Sequence, residues 1–477
     1  MGVELRETHV ALVFLVGDRA YKLKKPVDVG FLDFSTRERR LAACQREVEL
    51  NRRLAPDVYL GVADLFDVDG SPRDHLVVMR RMPAERRLRT LVESGAPAAD
   101  IIVALARMIA AFHARADRGP RIAKQGTRDA VLGRWEDSFA QVRALPGVID
   151  EGVLVEIETL TREFLAGREP LFDERVAAGR IVDGHGDLLT DDIFCLDDGP
   201  RVLDCLEFDD TLRHLDGLDD ICFLAMDLER LGAPDLGELL LERYQEFSAD
   251  PAPGALREHY LAYRAFVRAK VACVRHRQGD PAAAEQATEH AEITLRHLRH
   301  GRVRLVVVGG LPGTGKTTLA GRLADELGAV LLSTDRLRKE LVALPPGEDA
   351  RAPYREGIYT AEHTDRVYTE LLRRAKTLLA RGESVILDAS WTAAAHRDHA
   401  VDLARAGHAP LTSLCTTASS EVTRNRLLTR TGSISDADPA IAAALAADMD
   451  PWPQAVTVPT DRSPEHTVTR ALAAVRA

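Results

Sequence analysis

A glycine-rich segment that begins at Gly310 has the residue types needed to bind phosphate. It runs to Thr317 as a complete G-x-x-x-x-G-K-T motif, in which backbone N–H groups converge on phosphate oxygens, the lysine reaches the terminal phosphates and the threonine holds Mg²⁺. The apolar run at residues 302–308 predicts a strand before the loop, and the helix predicted after it directs its positive dipole end at the same anion. The predicted nucleotide-binding residues are Gly310, Gly313, Thr314, Gly315, Lys316, Thr317 and Thr318.

Two aspartates follow later strands of the same region, at positions suited to phosphoryl transfer. Asp388 ends an apolar run, where a carboxylate can hold Mg²⁺ together with Thr317. Asp335 follows the strand predicted at residues 330–333, where ligands of open α/β sheets bind, and is a candidate base for the proton of an acceptor hydroxyl. Arg338, one helical turn on, is a candidate for binding an anionic part of the acceptor. Helix capping is the alternative role of both aspartates.

Three arginines, Arg424, Arg426 and Arg430, lie on one predicted helix near the end of this region. Arg426 and Arg430 are four residues apart and therefore share a face of that helix. Such a helix can close over the γ-phosphate and stabilise the charge being transferred. A basic face exposed to solvent is the alternative.

These residues resemble the motifs of the P-loop small-molecule and polynucleotide kinases, over residues 303–477. The resemblance implies ATP and Mg²⁺ as cofactors, Asp335 as the catalytic base, and Arg426 or Arg430 as the lid arginine. The spacing of Asp335 and Arg338 also resembles the polynucleotide kinase arrangement. Residues 301–477 contain 22 basic and 21 acidic residues, and this near-neutral balance gives little support for a nucleic-acid substrate.

A second group of residues suited to phosphoryl transfer lies in the first 300 residues. The string His185-Gly-Asp187 sits between short strands predicted at residues 180–182 and 201–203, and Asp204 follows the second strand. One carboxylate that accepts a hydroxyl proton and one that holds Mg²⁺ are what metal-assisted phosphoryl transfer requires. A polar loop between two strands is the alternative.

Lys22 fits the A-x-K pattern of the third strand of a kinase small lobe. Glu47, on the helix predicted over residues 37–54, is the candidate ion-pair partner that would orient this lysine towards the nucleotide phosphates. Lys24 and Glu49 are rival assignments, and a surface lysine on an edge hairpin is the alternative.

Together these residues resemble the aminoglycoside phosphotransferase and choline kinase family, which has a protein-kinase-like fold, over residues 1–300. The resemblance implies a catalytic base, two metal ligands and two residues that contact the nucleotide phosphates, namely Asp187, Asp192, Asp204, Lys22 and Glu47. Three features depart from the family pattern: Asp192 stands where the family has asparagine, residues 7–10 occupy the turn of the usual glycine-rich loop, and the small lobe is short at its N-terminus.

The order of the two regions resembles a bacterial class of bifunctional proteins, in which an aminoglycoside-phosphotransferase-like domain precedes a P-loop kinase domain. It implies transfer of the γ-phosphoryl group of ATP to a hydroxyl of a small molecule, with two potential nucleotide sites. One alternative is a P-loop kinase regulated by a non-catalytic domain that senses ATP or another ligand. Another is a nucleic-acid 5′-hydroxyl kinase.

The elements that must position these residues divide the chain into three predicted parts. Residues 1–83 read as a strand-rich kinase-like small lobe, residues 84–300 as a helical large lobe with the catalytic loop, and residues 301–477 as a P-loop domain of alternating strands and helices. The predicted fold class is thus mixed α/β and α+β, with a two-lobed protein-kinase-like domain followed by a doubly wound parallel sheet.

Composition limits the partners of the 477-residue chain. The net charge is −11, and the excess acid lies in residues 1–300, which contain 41 basic and 53 acidic residues. This argues against nucleic acid and suits a cationic acceptor such as an amine-bearing sugar. Six scattered cysteines, no membrane-spanning run and no secretory signal predict a cytoplasmic protein without disulfides. Nothing in the sequence indicates the oligomeric state.

Overall fold

The computed structural model describes residues 3–7, 10–27, 33–345, 348, 355–429 and 438–476. The chain forms two compact units. The first comprises Met1–Val155, Phe172–Ala252 and Arg257–His297, and the second comprises Glu156–Leu171, Pro253–Leu256 and Leu298–Ala477. Within the described ranges, none of the helices combines the length and the apolar character that crossing a membrane needs.

An antiparallel five-stranded sheet and one helix begin the first unit. The elements are β1 (Val3–Glu7), β2 (Ala11–Val16), β3 (Arg19–Lys24), α1 (Arg37–Asn51), β4 (Tyr59–Phe66) and β5 (Pro72–Arg80). The strands lie in the order β1-β2-β3-β5-β4. Cys44 and Val48 of α1 are buried in one apolar cluster with Tyr59 and Val77 of the sheet. This packing holds α1 against the sheet that contains Lys22.

Helices dominate the chain from residue 88 to residue 300. They are α2 (Leu88–Glu93), α3 (Ala99–Arg115), α4 (Pro120–Lys124), α5 (Arg128–Arg143), α6 (Glu151–Ala166), α7 (Glu169–Ala177), α8 (Asp210–Arg213), α9 (Gly217–Arg230), α10 (Pro234–Ser248), α11 (Gly254–Arg277) and α12 (Ala283–His300). Two short antiparallel pairs interrupt them, namely β6 (Ile181–Asp183) with β9 (His214–Asp216), and β7 (Ile193–Leu196) with β8 (Gly199–Val202). The segments that follow β6 and β8 contain Asp187 and Asp204.

A parallel five-stranded sheet organises the second unit. Its elements are β10 (Leu305–Gly309), α13 (Lys316–Leu327), β11 (Val330–Ser333), α14 (Thr334–Glu340), α15 (Ala361–Ala380), β12 (Val385–Asp388), α16 (Ala394–Ala406), β13 (Leu411–Thr417), α17 (Ser420–Thr429), α18 (Pro439–Ala447), β14 (Val456–Pro459) and α19 (Pro464–Arg476). The strand order is β11-β12-β10-β13-β14. Val306, Ile386 and Leu414 of adjacent strands are buried with Leu319 and Leu323 of α13. Because parallel strands end at one edge of a sheet, the loop after β10 lies beside the ends of its neighbours.

The predicted fold class is confirmed, since an antiparallel sheet with a helical lobe precedes a parallel α/β sheet. Five strands, β1, β4, β7, β9 and β14, lie where the sequence pattern predicts none. β1 is exposed along its whole length, and β9 has only three residues. β4 is only partly buried and is irregular at Gly61, which weakens its alternation of apolar and polar residues. β7 and β14 have four residues each, too few to show a period. The helix predicted over residues 37–54 ends at Asn51, because residues 52–55 form a turn.

A buried histidine between two glutamates couples the stability of the first unit to pH. The two ring nitrogens of His297 lie 2.7 Å from carboxylate oxygens of Glu258 and Glu229. Burial alone would lower the pKa of His297, but these carboxylates raise it to about 9. A raised histidine pKa stabilises the folded state fully below the unfolded pKa, and the contribution is lost as pH rises through the folded value.

We therefore expect the free energy of unfolding of the first unit to fall by roughly 3 kcal/mol as pH rises from about 6.5 to above 9. Urea unfolding across this range measures it. His297→Gln should flatten the profile, whereas His276→Gln, at an exposed position of α11, should leave it unchanged. A profile for His297→Gln as steep as that of the wild-type protein would contradict the assignment.

Candidate active sites

Lys22 of β3 and Glu47 of α1 form an ion pair. The Lys22 Nζ lies 2.9 Å from Glu47 Oε1 and donates to Asp204 Oδ1 at 2.7 Å. Glu47 is fully buried; burial alone would raise its pKa, but Lys22 and Lys24 hold that pKa below its usual value. The structure thus brings the two residues expected at the nucleotide phosphates together with the candidate metal ligand Asp204.

Lys24 is a second lysine bound to the same glutamate. Its Nζ donates to Glu47 Oε2 at 2.7 Å and to Glu207 Oε1 at 2.6 Å. The rival glutamate, Glu49, pairs instead with Arg46 at 2.9 Å. Lys24 lies two residues after Lys22 on β3, so the two side chains share one face of the sheet. Sequence spacing therefore cannot decide which of the two lysines is the ion-pair partner of Glu47. In the structure, one Glu47 oxygen contacts Lys22 and the other contacts Lys24.

Asp220 of α9 holds the loop that contains the candidate base Asp187. Its carboxylate accepts the backbone N–H groups of His185 at 2.6 Å and Gly186 at 2.9 Å, and it lies 3.0 Å from His113 Nε2. Burial alone would raise the pKa of Asp220, but the hydrogen bond and the charge of His113 keep it well below its usual value. The loop therefore has a buried, ionised anchor.

His185 positions the same loop and does not act as an acid. Burial lowers the pKa of His185 to about 4, so the ring is neutral near pH 7. The hydrogen-bond network assigns the proton to Nε2, which donates to the Leu203 carbonyl at 3.1 Å, while Nδ1 accepts the Asp187 N–H at 3.3 Å. The preceding Gly184 has no room for a side chain, because a Cβ there would lie 2.5 Å from Asp220 Oδ2.

Three carboxylates of this site have different proton affinities. Burial raises the pKa of Asp187 to about 6. Burial, with Asp204 and Asp187 nearby, raises the pKa of Asp192 well above its usual value, whereas Lys22 lowers the pKa of Asp204. Asp204 also has a left-handed φ of 62°, and such strained residues cluster at functional sites. A base and a metal ligand need this separation of proton affinities.

The phosphate-binding loop of the second unit joins β10 to α13. Gly310, Gly313 and Gly315 have φ values of 141°, 85° and 89°, a region that favours glycine. A Cβ at Gly310 would lie 2.3 Å from Thr416 Oγ1, and the Thr416 and Thr314 hydroxyls lie 2.8 Å apart. The loop is thus packed directly against β13, in a shape that larger residues at Gly310 would disrupt.

A cavity of about 270 Å³ brings together three of the predicted site residues. Lys316, Asp335 and Arg338 all line it. Arg338 donates to the Ile358 carbonyl at 2.9 Å and the Thr364 hydroxyl at 3.1 Å, while its Nε is buried without a partner among the described residues. Burial lowers the pKa of Arg338.

Several residues that sequence reasoning did not identify complete the wall of this cavity. Tyr368 and His396 stack with ring centroids 3.9 Å apart, and His396 Nε2 lies 2.9 Å from Asp365 Oδ1. The Tyr368 hydroxyl accepts the Trp391 N–H at 3.1 Å, and Ile441 of α18 also lines the cavity. These residues come from separate helices and loops, so no motif spacing connects them.

Asp388, the last residue of β12, is buried beside the phosphate-binding loop. Its Oδ1 has no hydrogen-bond partner within the described part of the chain. Burial raises the pKa of Asp388, and the charge of Lys316 and the Thr317 hydroxyl oppose that shift. The candidate metal ligands Asp388 and Thr317 are therefore neighbours. Across the described residues, no cluster of three or more His, Cys, Asp or Glu side chains has a metal-binding arrangement.

Arg426 of α17, a candidate lid residue, forms hydrogen bonds with Thr460. Its guanidinium donates to the Thr460 hydroxyl at 2.9 Å and to the Thr460 carbonyl at 2.8 Å. Together with Gly315 and Thr318 it lines a second cavity, of about 220 Å³. Thr460 thus binds two of the Arg426 nitrogens, and the lid role expected of Arg426 stays a prediction. The other candidate, Arg430, lies outside the described residues.

Comparison with known proteins finds similarity to parts of the chain and to nearly all of it. Residues 305–451 match a family model described as an AAA domain, which confirms the P-loop resemblance. Two solved structures are similar to parts of the chain. A sugar kinase from Janibacter sp. HTCC2649 matches 36% of this chain and 94% of its own at 23% identity, with a TM-score of 0.29. A choline/ethanolamine kinase family protein from Mesorhizobium loti matches 62% and 91% at 16% identity, with a TM-score of 0.40.

The curated relatives extend over nearly the whole chain. Uncharacterized protein Rv2004c of Mycobacterium tuberculosis is 47% identical over 453 residues, which is 94% of this chain and 91% of the relative. Uncharacterized protein Mb2027c of Mycobacterium bovis matches to the same extent. The similarity therefore covers both units together. The chain belongs to the same protein family as these two mycobacterial proteins.

Proposed function

We propose that the protein is a cytoplasmic ATP-dependent phosphotransferase, whose second unit moves the γ-phosphoryl group of ATP to a hydroxyl of a small molecule. The observation that supports this most is the shared cavity, since Lys316 of the phosphate-binding loop and the Asp335 carboxylate line one space. A cation that neutralises the transferring phosphate and a carboxylate that takes the hydroxyl proton must lie side by side for this reaction.

The proposal places ATP across both cavities of the second unit. Its phosphates bind the backbone N–H groups of the loop and Lys316, and its base enters the second cavity. Thr460 holds the planar guanidinium of Arg426 there, and a fixed guanidinium can stack on an aromatic base. Leu319 and Val468 supply apolar surface in the same cavity. Arg426 thus binds nucleotide in this proposal, and does not stabilise the transferring phosphate.

The residues at the end of β12 fit Mg²⁺, which prefers oxygen ligands. The buried and unpartnered Oδ1 of Asp388 is such an oxygen, and the Thr317 hydroxyl lies beside it. We assign the metal to these two residues. Bound Mg²⁺ would neutralise charge on the phosphate oxygens. Lys316 acts on the same phosphates, and Asp335 is left to accept the proton.

The acceptor in this proposal is a small molecule with several hydroxyl groups. The cavity of about 270 Å³ lies just below the usual range for ligand sites, which begins at about 300 Å³. Its wall combines the Asp365 carboxylate, the Thr364 hydroxyl and the stacked Tyr368 and His396 rings. Hydroxyl groups can both donate to carboxylates and accept from donors, so such a wall suits a sugar or polyol. Arg338 is placed to bind an anionic group of that molecule.

A screen of sugars, polyols and sugar acids for ATP-dependent phosphorylation tests this function. The full chain should carry Asp187→Asn, so that the first unit does not contribute. We expect phosphorylated product with this chain and at least a 100-fold loss on adding Lys316→Ala, since one oriented donor to a transition state contributes about 10²–10³-fold. Lys376→Ala, at an exposed position of α15, is the matched control. Product formation that survives Lys316→Ala would contradict the proposal.

For the first unit we propose a second ATP-dependent kinase site. Asp187 is its base, Lys22 with Glu47 binds the nucleotide phosphates, and Asp192 with Asp204 holds Mg²⁺. The aspartate at position 192 fits this role, because a carboxylate oxygen is a ligand that Mg²⁺ prefers. A turnover that persists in Lys316→Ala and is lost on adding Asp187→Asn would establish this site.

A regulatory first unit is the second candidate function. The short contact between Lys22 and Asp204 favours it, because the ion pair occupies the carboxylate that would bind Mg²⁺. In that case Lys316→Ala alone should abolish turnover with every acceptor. ATP or another ligand bound at Lys22 should then change the rate of the second unit, and Lys22→Ala should remove that change.

The first-unit reaction should depend on pH through Asp187. Because burial raises the pKa of Asp187 to about 6, its carboxyl is increasingly protonated below that pH and cannot accept a proton. We expect kcat/KM of the Lys316→Ala chain to fall about tenfold per pH unit below pH 6 and to level off above it. ATP affinity measured over the same range is the control. A rate that does not change between pH 5 and pH 7 would contradict the role of Asp187.

A further inference from the structure

Helix α11 packs directly on the loop that contains Asp187. Arg264 of this helix donates to Asp219 Oδ1 at 2.7 Å, and its second nitrogen lies 3.4 Å from the Gly186 carbonyl. Arg264 is buried, and the Asp219 carboxylate balances its charge. The side chains on this face of α11 therefore border the candidate base.

Arg268 follows Arg264 by four residues and lies on the same face of α11. It is partly buried, and it forms no ion pair or hydrogen bond with any residue in the described ranges. Nearby Arg230, in contrast, pairs with Asp227 at 3.0 Å. Among the charges around Asp187, that of Arg268 contributes most to lowering its pKa. A partly buried guanidinium loses part of its hydration, and an anionic ligand would supply the partner that the described residues do not.

His290 of α12, near Arg268, has one ring nitrogen without a hydrogen-bond partner among the described residues. It is buried, and its Nδ1 donates to the Gln286 carbonyl at 2.6 Å. Its Nε2 has no hydrogen-bond partner among the described residues. Burial lowers the pKa of His290 to about 4, and the charges of Arg268 and Arg230 add to that shift. The ring is therefore neutral, with an unused acceptor nitrogen.

From this arrangement we propose that the first unit binds an anionic acceptor. The molecule has a hydroxyl that faces Asp187 and an anionic oxygen group that Arg268 binds. His290 Nε2 accepts a hydrogen bond from an O–H group of the same molecule. The inference rests on the proposed function, in which Asp187 is the base of a kinase site. An anionic acceptor replaces the amine-bearing acceptor expected from the net charge of residues 1–300, because a bound molecule interacts with the charges beside Asp187 and not with the average charge of the segment. Of Arg264 and Arg268, the two arginines beside Asp187, only Arg268 has no carboxylate partner among the described residues.

Equilibrium dialysis of radiolabelled inorganic phosphate tests this proposal. The full chain carries Lys316→Ala and is saturated with Mg²⁺ and AMPPNP, so that phosphate cannot enter the nucleotide sites. We expect Arg268→Gln to weaken phosphate binding at one site by about tenfold or more, since it removes a charge-assisted contact. Arg268→Lys should retain most of the affinity. Arg275→Gln, on the same helix but paired with Asp280 at the surface, should change nothing.

Equal phosphate affinity in the Arg268→Gln and Arg275→Gln chains would overturn the proposal, as would saturable binding of radiolabelled choline in place of phosphate. AMPPNP titration of the same variants separates this result from the proposed function. If the Lys316→Ala chain binds no AMPPNP, the nucleotide site of the first unit is contradicted. The comparison of phosphate binding between the two arginine variants then still decides whether Arg268 binds an anion.

Discussion

Replacing Asp335 by asparagine should lower kcat of the second unit by about 10²–10⁴-fold, the usual contribution of a general base. Asparagine has nearly the same shape, but its amide cannot accept the proton of the acceptor hydroxyl. ATP affinity should stay within about twofold, because the loop and Lys316 bind the phosphates. The measurement uses the chain with Asp187→Asn and the acceptor found in the screen.

Asp365→Asn is the matched control for this experiment. Asp365 lines the same cavity as Asp335, but its carboxylate pairs with His396 at 2.9 Å. We expect this variant to raise KM for the acceptor and to leave kcat within a few-fold, because it removes a binding contact and not the base. If Asp365→Asn lost kcat and Asp335→Asn retained it, the base would have to be reassigned.

The second large effect concerns the stability of the first unit. Asp220→Ala should lower its free energy of unfolding by about 3–5 kcal/mol, the usual cost of removing one partner from a buried charged pair. The substitution leaves the N–H groups of His185 and Gly186 and the ring of His113 without their common acceptor. Urea unfolding measures the change, and it should be accompanied by loss of the first-unit reaction.

Asp197→Ala is the control for that stability measurement. Asp197 is almost fully exposed and pairs with Arg86 at the surface, so its removal should change the free energy of unfolding by less than about 1 kcal/mol. A loss below about 1 kcal/mol for Asp220→Ala would show that the loop does not depend on this carboxylate. The positioning role assigned to Asp220 would then be wrong.

In the candidate site of the second unit, the residues that the sequence could predict are those identified by the spacing of residues within one short segment or by their place at the end of a strand. The phosphate-binding loop needs its glycines and lysine in one short segment, and the strand before it is apolar because both of its faces are buried. Asp335 and Asp388 could be predicted because parallel strands end at one edge, where ligands bind. The structure places Asp335 with Lys316 in one cavity and Asp388 beside Thr317.

The residues that sequence could not predict depend on contacts between distant segments. Thr460 binds Arg426, and nothing in the local pattern of either residue shows that contact. The Tyr368–His396 stack likewise joins two helices whose packing has no motif. Asp220 resembles a structural acidic position of the kinase-like fold in sequence, but only the folded structure shows that it binds the backbone of a loop 34 and 35 residues earlier in the chain.

The net charge of residues 1–300 and the charges beside Asp187 lead to different predictions of the acceptor. The net charge of a long segment describes the average surface, and it predicts a cationic acceptor for residues 1–300. The structure instead places Arg264 and Arg268 on the helix beside Asp187. Of these two, Arg268 alone lacks an ion pair within the described residues. Acceptor charge therefore has to be inferred from the site and not from the chain as a whole.

The binding stoichiometry of Mg²⁺-ATP, measured by calorimetry on the intact chain and on Lys316→Ala, tests the central claim most directly. Two units that each bind nucleotide predict two sites in the intact chain and one in the variant, with the remaining site lost on adding Lys22→Ala. A single site in the intact chain that disappears in Lys316→Ala would contradict the nucleotide site of the first unit. A stoichiometry that Lys316→Ala leaves unchanged would contradict the assignment of the phosphate-binding loop.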